Sequence, residues 1–126
     1  IELIFKPAQP LGSILMDKER MRQVLDNLLT NAVKYSPSKS KVILEVFRNS
    51  GNLVWVVQDF GVGIAAEELP KLFDEGAQIS SKPTAGEPSH GFGLAIAKRM
   101  IDLHQGTIQV KSEKGVGTQF VVTLPL

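Results

Sequence analysis

Asn27, Asn31 and Lys34 stand four and three residues apart, which at about 100° per residue places them on one stripe of a helix. Asparagine is only a modest helix former, so two of them inside a well-made helix ask for a reason. Amide oxygens suit a hard cation such as Mg²⁺, and a lysine close by suits phosphate. A solvated helix face would use the same residues, so the stripe alone leaves both readings open. A second cluster, Asp59-Phe60-Gly61-Val62-Gly63-Ile64, follows directly on an apolar run. A carboxylate closing such a run is costly to bury unless it is hydrogen-bonded. The two glycines either let backbone approach a flat ligand or supply positive φ for a turn. The third cluster is Gly91-Phe92-Gly93-Leu94. Glycines opening a helix expose backbone amides at its positive end, where an anion is favoured. The G-K-[ST] ending of a P-loop and the β-α-β setting of a dinucleotide fold are both missing, which excludes those two nucleotide folds.

The elements that must hold these groups are written in the periodicity. Asp17 reads as the N-cap of a helix whose apolar positions Met21, Val24, Leu25, Leu28, Leu29, Ala32 and Val33 recur at three and four. Ser36-Pro37 ends it, because proline disfavours helical geometry in the residue before it. Residues 1–5 read as a short edge strand before Pro7, and 13–15 as a second extended piece. Residues 41–47 and 53–57, joined by Asn49-Ser50-Gly51-Asn52, predict a hairpin. A short helix is expected over 66–73, and a longer one over 92–104 with Gly106 as its cap. Paired strands over 107–110 and 118–124 surround Gly115-Val116-Gly117. Residues 78–89, rich in Ser, Pro, Thr and Gly, read as a mobile surface loop longer than typical connections. Helices alternating with hairpins predict an α+β fold. It would be a two-layer α/β sandwich, with a mixed, mostly antiparallel sheet carrying its helices on one face.

The totals narrow the field. A chain of 126 residues is enough for one domain over 1–126. A formal net charge of +1 argues against a nucleic-acid or anionic-membrane surface. The absence of cysteine excludes disulfides, thiolate metal sites and cysteine nucleophiles, and suits a cytoplasmic setting. No apolar run approaches the roughly 20 residues of a membrane span, so no direct membrane contact is expected. Beginning at Ile1 without an initiator methionine, the chain reads as a fragment of a longer parent, for which an inner-membrane anchor stays open.

Order and spacing together carry more than any single motif. Met21 to Ser36 resembles an N box, Asp59 to Ile64 a first glycine box, Leu72-Phe73 an F box, and Gly91 to Leu94 a second glycine box. The tail Gly115-Val116-Gly117-Thr118-Gln119-Phe120 with Leu124-Pro125 completes the pattern. Essentially the whole chain is thus similar to the catalytic domain of sensor histidine kinases, within the larger family that includes gyrase B, Hsp90 and MutL. The resemblance implies the Bergerat-type ATP-binding fold, with ATP and Mg²⁺ as cofactors. It implies two partners: the phosphoacceptor/dimerisation domain of the same parent, and a response-regulator receiver domain. It implies that Asn31 coordinates Mg²⁺ with Asn27 beside it, that Lys34 meets phosphate oxygens, and that Tyr35 lies against the adenine. Asp59 would accept from the exocyclic amino group, with Gly61, Gly63 and Ile64 shaping the base pocket. Phe73 would help seat a lid, while amides around Gly91, Phe92, Gly93 and Leu94 would cradle the phosphates. Thr118, by looser analogy, would reach the adenine through water, and reads equally as an ordinary strand threonine.

The chain also departs from the pattern. Ser89 stands where the family usually has glycine, and Gly76 where a second phenylalanine is common. His90 occupies a lid position that approaches the nucleotide in relatives, and reads equally as a solvent-exposed loop histidine. Gyrase-like ATPases place a glutamate base four residues before the helix asparagine; here that position is Asn27. Asp26 points about 100° away and is a poor substitute. Phosphoryl transfer depends on positioning and charge neutralisation rather than on such a base, so the swap favours a kinase. Neither His90 nor His104 has the acidic neighbour of the family's acceptor motif. A serine kinase of the anti-sigma-factor type and a catalytically inactive nucleotide-sensing module share the same boxes and stand as alternatives.

Overall fold

Val42, Leu44 and Val46 alternate with less buried neighbours, as do Phe120, Val122 and Leu124, while Trp55 and Val57 flank the less buried Val56. A period of two sends each set to one face of a pleated strand. The computed structural model describes residues 2–7, 18–37, 39–74 and 93–125. Its strands are β1 (Glu2–Pro7), β2 (Lys41–Asn49), β3 (Asn52–Asp59), β4 (Thr107–Glu113) and β5 (Gly117–Pro125). They form one sheet in the order β1-β2-β3-β5-β4, with β1 parallel to β2 and the other pairs antiparallel. Register aligns the apolar sets: Val57 lies opposite Leu44 and Phe120, and Trp55 opposite Val46 and Val122. The same register carries that face to one end of the sheet as the row Val42, Asp59, Thr118 and Ser112.

Two helices cover this face. Helix α1 (Lys18–Lys34) buries Met21, Val24, Leu28 and Ala32, and α2 (Gly93–Leu103) buries Leu94, Ala97 and Ile101. All seven join the sheet residues in one core. Full burial of a side chain such as Leu28 or Ile101 stabilises by about 1.5–3 kcal/mol. Val33, expected on the apolar stripe, is 46% exposed. It lies about 140° around the helix from Leu28, beyond the face the sheet covers.

The fold is the expected two-layer sandwich, with several boundaries moved. Strand β1 extends to Pro7 and takes an edge position, where a missing N–H is tolerated. Strands β2 and β3 reach Asn49 and Asn52, which pair, so the turn shrinks to Ser50 and Gly51. Their φ angles of 52° and 81° are the two left-handed residues a type I′ turn needs. The expected helix over 66–73 is a 3-10 helix, Ala66–Lys71, containing Pro70, whose nitrogen has no proton to give. Helix α2 ends in a Schellman motif, with Gly106 donating to Ile101 at 2.9 Å and Gln105 to Asp102 at 3.0 Å. The left-handed residue is Gln105, φ 57°, rather than Gly106. At the end of α1 the Ser36 hydroxyl donates back to the Ala32 carbonyl at 2.7 Å, satisfying a terminal acceptor. The readings placed on Asp17, 13–15, Gly76, 78–89, Ser89, His90, Gly91 and Phe92 lie outside the described residues.

Candidate functional site

Asp59 ends β3 on the core face, and only 3% of its surface is exposed. Its Oδ1 accepts two backbone amides, from Gly61 at 2.9 Å and from Thr118 at 3.2 Å. Both bonds fall on one oxygen, so Oδ2 has no partner among the described residues. Burial pushes the carboxyl above its ordinary value, and the two amides only partly offset it. The result is a fixed carboxylate with one occupied oxygen and one to offer.

Beyond Asp59 the chain crosses the end of α1. A Cβ on Gly61 would lie 1.9 Å from the Tyr35 carbonyl oxygen, and the Val62 amide donates to that same oxygen at 3.1 Å. Gly63 is left-handed at φ 73°, and its Cβ would lie 2.2 Å from the Glu113 carbonyl. Contact between protein segments therefore accounts for both glycines. The Gly115 amide donates to Val62 at 2.8 Å, and the Ile64 amide to the Ser112 hydroxyl at 2.7 Å. The turn is clamped between the end of α1 and the β4–β5 hairpin.

Gly93 differs. A Cβ there would meet nothing nearer than the Asn27 side chain at 3.8 Å, an ordinary contact, so the described fold does not require glycine at that position. The Asn27 amide nitrogen donates to the Gly93 carbonyl at 3.1 Å, which leaves the Asn27 oxygen as the atom it can offer. The side chain of Asn31, half-buried one turn further on, has no hydrogen-bond partner among the described residues. Lys34 closes α1 in its last turn.

The structure thus gathers Asp59, Gly61, Gly63, Ile64, Tyr35 and Thr118 at one end of the sheet, and links Asn27 to Gly93. Tyr35 and Ile64 are buried, and the Leu94 side chain belongs to the core. Phe73 packs edge-on against Phe120, with centroids 6.3 Å apart at 71°. Ser112 is not among the residues expected at the site. Its signal is nonetheless present: Ile108, Val110 and Ser112 alternate on β4, so Ser112 is the polar continuation of the row that meets Thr118.

Similarity to known proteins agrees with this geometry. Residues 16–126 match the family described as histidine kinase-, DNA gyrase B-, and HSP90-like ATPase. The chain is 41% identical over 118 residues to the autoinducer 2 sensor kinase/phosphatase LuxQ of Vibrio parahaemolyticus, with 90% of this chain and 14% of that protein covered. It is 38% identical over 109 residues to the circadian input-output histidine kinase CikA of Synechocystis sp., covering 86% and 14%. The fold superposes on full-length ShkA, crystallised with AMPPNP, at a TM-score of 0.84 and 32% identity, covering 98% of this chain and 25% of that one. The chain spans about one-seventh of the two curated relatives. It belongs to this family, as the ATP-binding catalytic domain found in sensor histidine kinases.

Proposed function

We propose that this member of the histidine kinase-like ATPase family binds Mg²⁺–ATP and passes its γ-phosphoryl group to a histidine on a phosphoacceptor/dimerisation domain of the same parent. From there the group moves to a response-regulator receiver domain. The observation that carries the reading is the buried Asp59, held by two amides on Oδ1 with Oδ2 left to accept from an adenine amino group. The nearby Thr118, Tyr35, Gly61, Gly63 and Ile64 would shape the base pocket, and Phe73 would brace a lid through its contact with Phe120. Gly93 and the Leu94 amide, at the opening of α2, would lie against the phosphates with Gly91, Phe92, His90 and Lys34.

The donors present fit Mg²⁺. Among the described residues no group of three His, Cys, Asp or Glu side chains could hold a metal. Mg²⁺, however, keeps several waters and takes few protein ligands beside substrate phosphates. The amide oxygens of Asn31 and Asn27 are hard donors of that kind. Bound there, the ion would neutralise charge on the phosphates. The protein's own part is positioning: it fixes the base at Asp59 and aims the phosphate tail along α1 toward α2. In transfer, the bond from the γ-phosphorus to the β–γ bridging oxygen breaks and one to the acceptor imidazole nitrogen forms, with ADP leaving. No helix among the described residues is long and apolar enough to cross a membrane. A need for ATP would favour a cytoplasmic setting for the domain.

The test uses the chain as it stands. Titration calorimetry should show Mg²⁺–ATP binding, and incubation with ATP should leave His90 and His104 unmodified. Adding the parent's acceptor domain should yield acid-labile phosphohistidine on that domain. Phosphate on His90 or His104, or no transfer despite ATP binding, would overturn the kinase reading.

A further inference from the structure

The Ser112 hydroxyl has three neighbours. The Ile64 amide donates to it at 2.7 Å, the Gly117 carbonyl lies 3.0 Å away, and the Thr118 hydroxyl lies 2.8 Å away. A serine hydroxyl has one proton and two lone pairs. The Gly117 carbonyl can only accept, so it takes the serine proton. One lone pair is used by the Ile64 amide. The other is then filled by the Thr118 proton, which is the one assignment that satisfies all three contacts. Thr118 is 6% exposed and sits opposite Asp59 in the β3–β5 register. With its proton turned toward Ser112, it presents only lone pairs on its remaining side.

We infer that Ser112 is a positioning residue of the nucleotide pocket, whose hydroxyl anchors the Ile64 amide and takes the Thr118 proton, leaving Thr118 an acceptor beside Asp59. Both groups at the base end then accept, so the ligand edge, or a water on it, must supply the protons. The inference deepens the proposed ATP site and rests on that reading. Ser112 acts through two other residues and is not itself placed against the ligand.

Ser112→Ala, Ser112→Thr, Thr118→Val and the double variant combining Ser112→Ala with Thr118→Val test it, by calorimetry with Mg²⁺–ATP and by amide exchange. Ser112→Ala should weaken ATP binding roughly tenfold, and it should speed exchange at Ile64 while the β5 amides keep their protection. Ser112→Thr retains the hydroxyl and should stay within about threefold of the parent. Thr118→Val should cost less in the Ser112→Ala background than alone, since the threonine proton is then no longer committed. Strictly multiplicative losses, or unchanged Ile64 exchange in Ser112→Ala, would overturn the inference. Should Ser112→Ala lose β5 protection as well, Ser112→Cys supplies a weaker acceptor of similar shape, and unchanged Ile64 exchange there is equally fatal. A parent chain that binds no ATP sinks the ATP-site reading instead, and the Ile64 exchange still decides the anchor.

Discussion

The Asn27 amide nitrogen donates to the Gly93 carbonyl across 3.1 Å, joining the middle of α1 to the first residue of α2, 66 positions along the chain. The bond needs a donor at position 27. A carboxylate there would face a second acceptor, so the residue that suits a water-activating base cannot also make this tie. Asn27 thus ties the first residue of α2 to the helix bearing Asn31, beside the core packing of Leu94, Ala97 and Ile101.

Asn27→Asp keeps the side-chain length and removes the donor. The bond is solvent-exposed, so its loss should cost about 1 kcal/mol, or roughly fivefold in ATP affinity. Exchange should quicken in the first turn of α2. Calorimetry and hydrogen exchange on the two proteins are sufficient. Unchanged ATP affinity together with unchanged α2 protection would show that the tie contributes nothing.

Gly61 and Gly93 should respond oppositely to alanine. At Gly61 the new Cβ would lie 1.9 Å from the Tyr35 carbonyl, a backbone atom that cannot swing aside, so destabilisation of about 1–3 kcal/mol or more is expected. At Gly93 the Cβ has room, and alanine favours a helix by up to about 1 kcal/mol. Gly93→Ala should keep or raise the thermal midpoint while weakening ATP binding. Equal thermal losses in both variants would mean that Gly93 is required by the fold, not by the ligand.

Elements with a strong period were legible in the sequence. The stripe from Met21 to Ala32 and the alternation through Val57 and Phe120 fixed α1, the sheet face and the sandwich. What the sequence hid were contacts between distant segments. Gly61 reads equally as a glycine facing a ligand or as a turn glycine, and only the passage of its backbone over Tyr35 shows why glycine is needed there. The left-handed Gln105 was masked by the adjacent Gly106, the residue type expected there. Ser112 carries no motif of its own, and it becomes visible only once the hairpin register sets it beside Thr118. The same register makes Asp59 a core-facing residue, which its place at the end of an apolar run had implied.

Burial of Asp59 has a pH signature. Its folded-state pKa is raised above the unfolded value of about 3.9, so folding favours the protonated form. The stabilising contribution is fully present below about pH 3.9 and is lost as pH rises through the raised folded value. At neutral pH the ionised side chain is a cost to the ligand-free fold. Asp59→Asn should therefore have the higher thermal midpoint at pH 7, with the gap closing as pH falls through the native value of Asp59 toward about 3.9. Scanning calorimetry of both proteins across that range decides the point. A difference in midpoint that does not vary with pH would rule out titration of Asp59 as its source.

Asp59 should also set the choice of base. Its Oδ1 is committed to the Gly61 and Thr118 amides, so Oδ2 would be the reader, and a carboxylate oxygen only accepts. Adenine offers it an amino group, whereas guanine in the same pose offers a keto oxygen, and two acceptors would face each other. GTP should bind more weakly than ATP by about 1–3 kcal/mol, roughly tenfold to more than a hundredfold. In Asp59→Asn the amide oxygen would keep the two backbone bonds, which forces the NH₂ into the place of Oδ2. That group would donate toward the adenine amine and welcome a keto oxygen. The variant should therefore lose ATP affinity and narrow or reverse the gap to GTP, while its fold survives because both backbone bonds remain. Calorimetric titration of both nucleotides against both proteins measures all four affinities. If the parent binds GTP as tightly as ATP, or if Asp59→Asn leaves ATP affinity unchanged, Asp59 does not read the base.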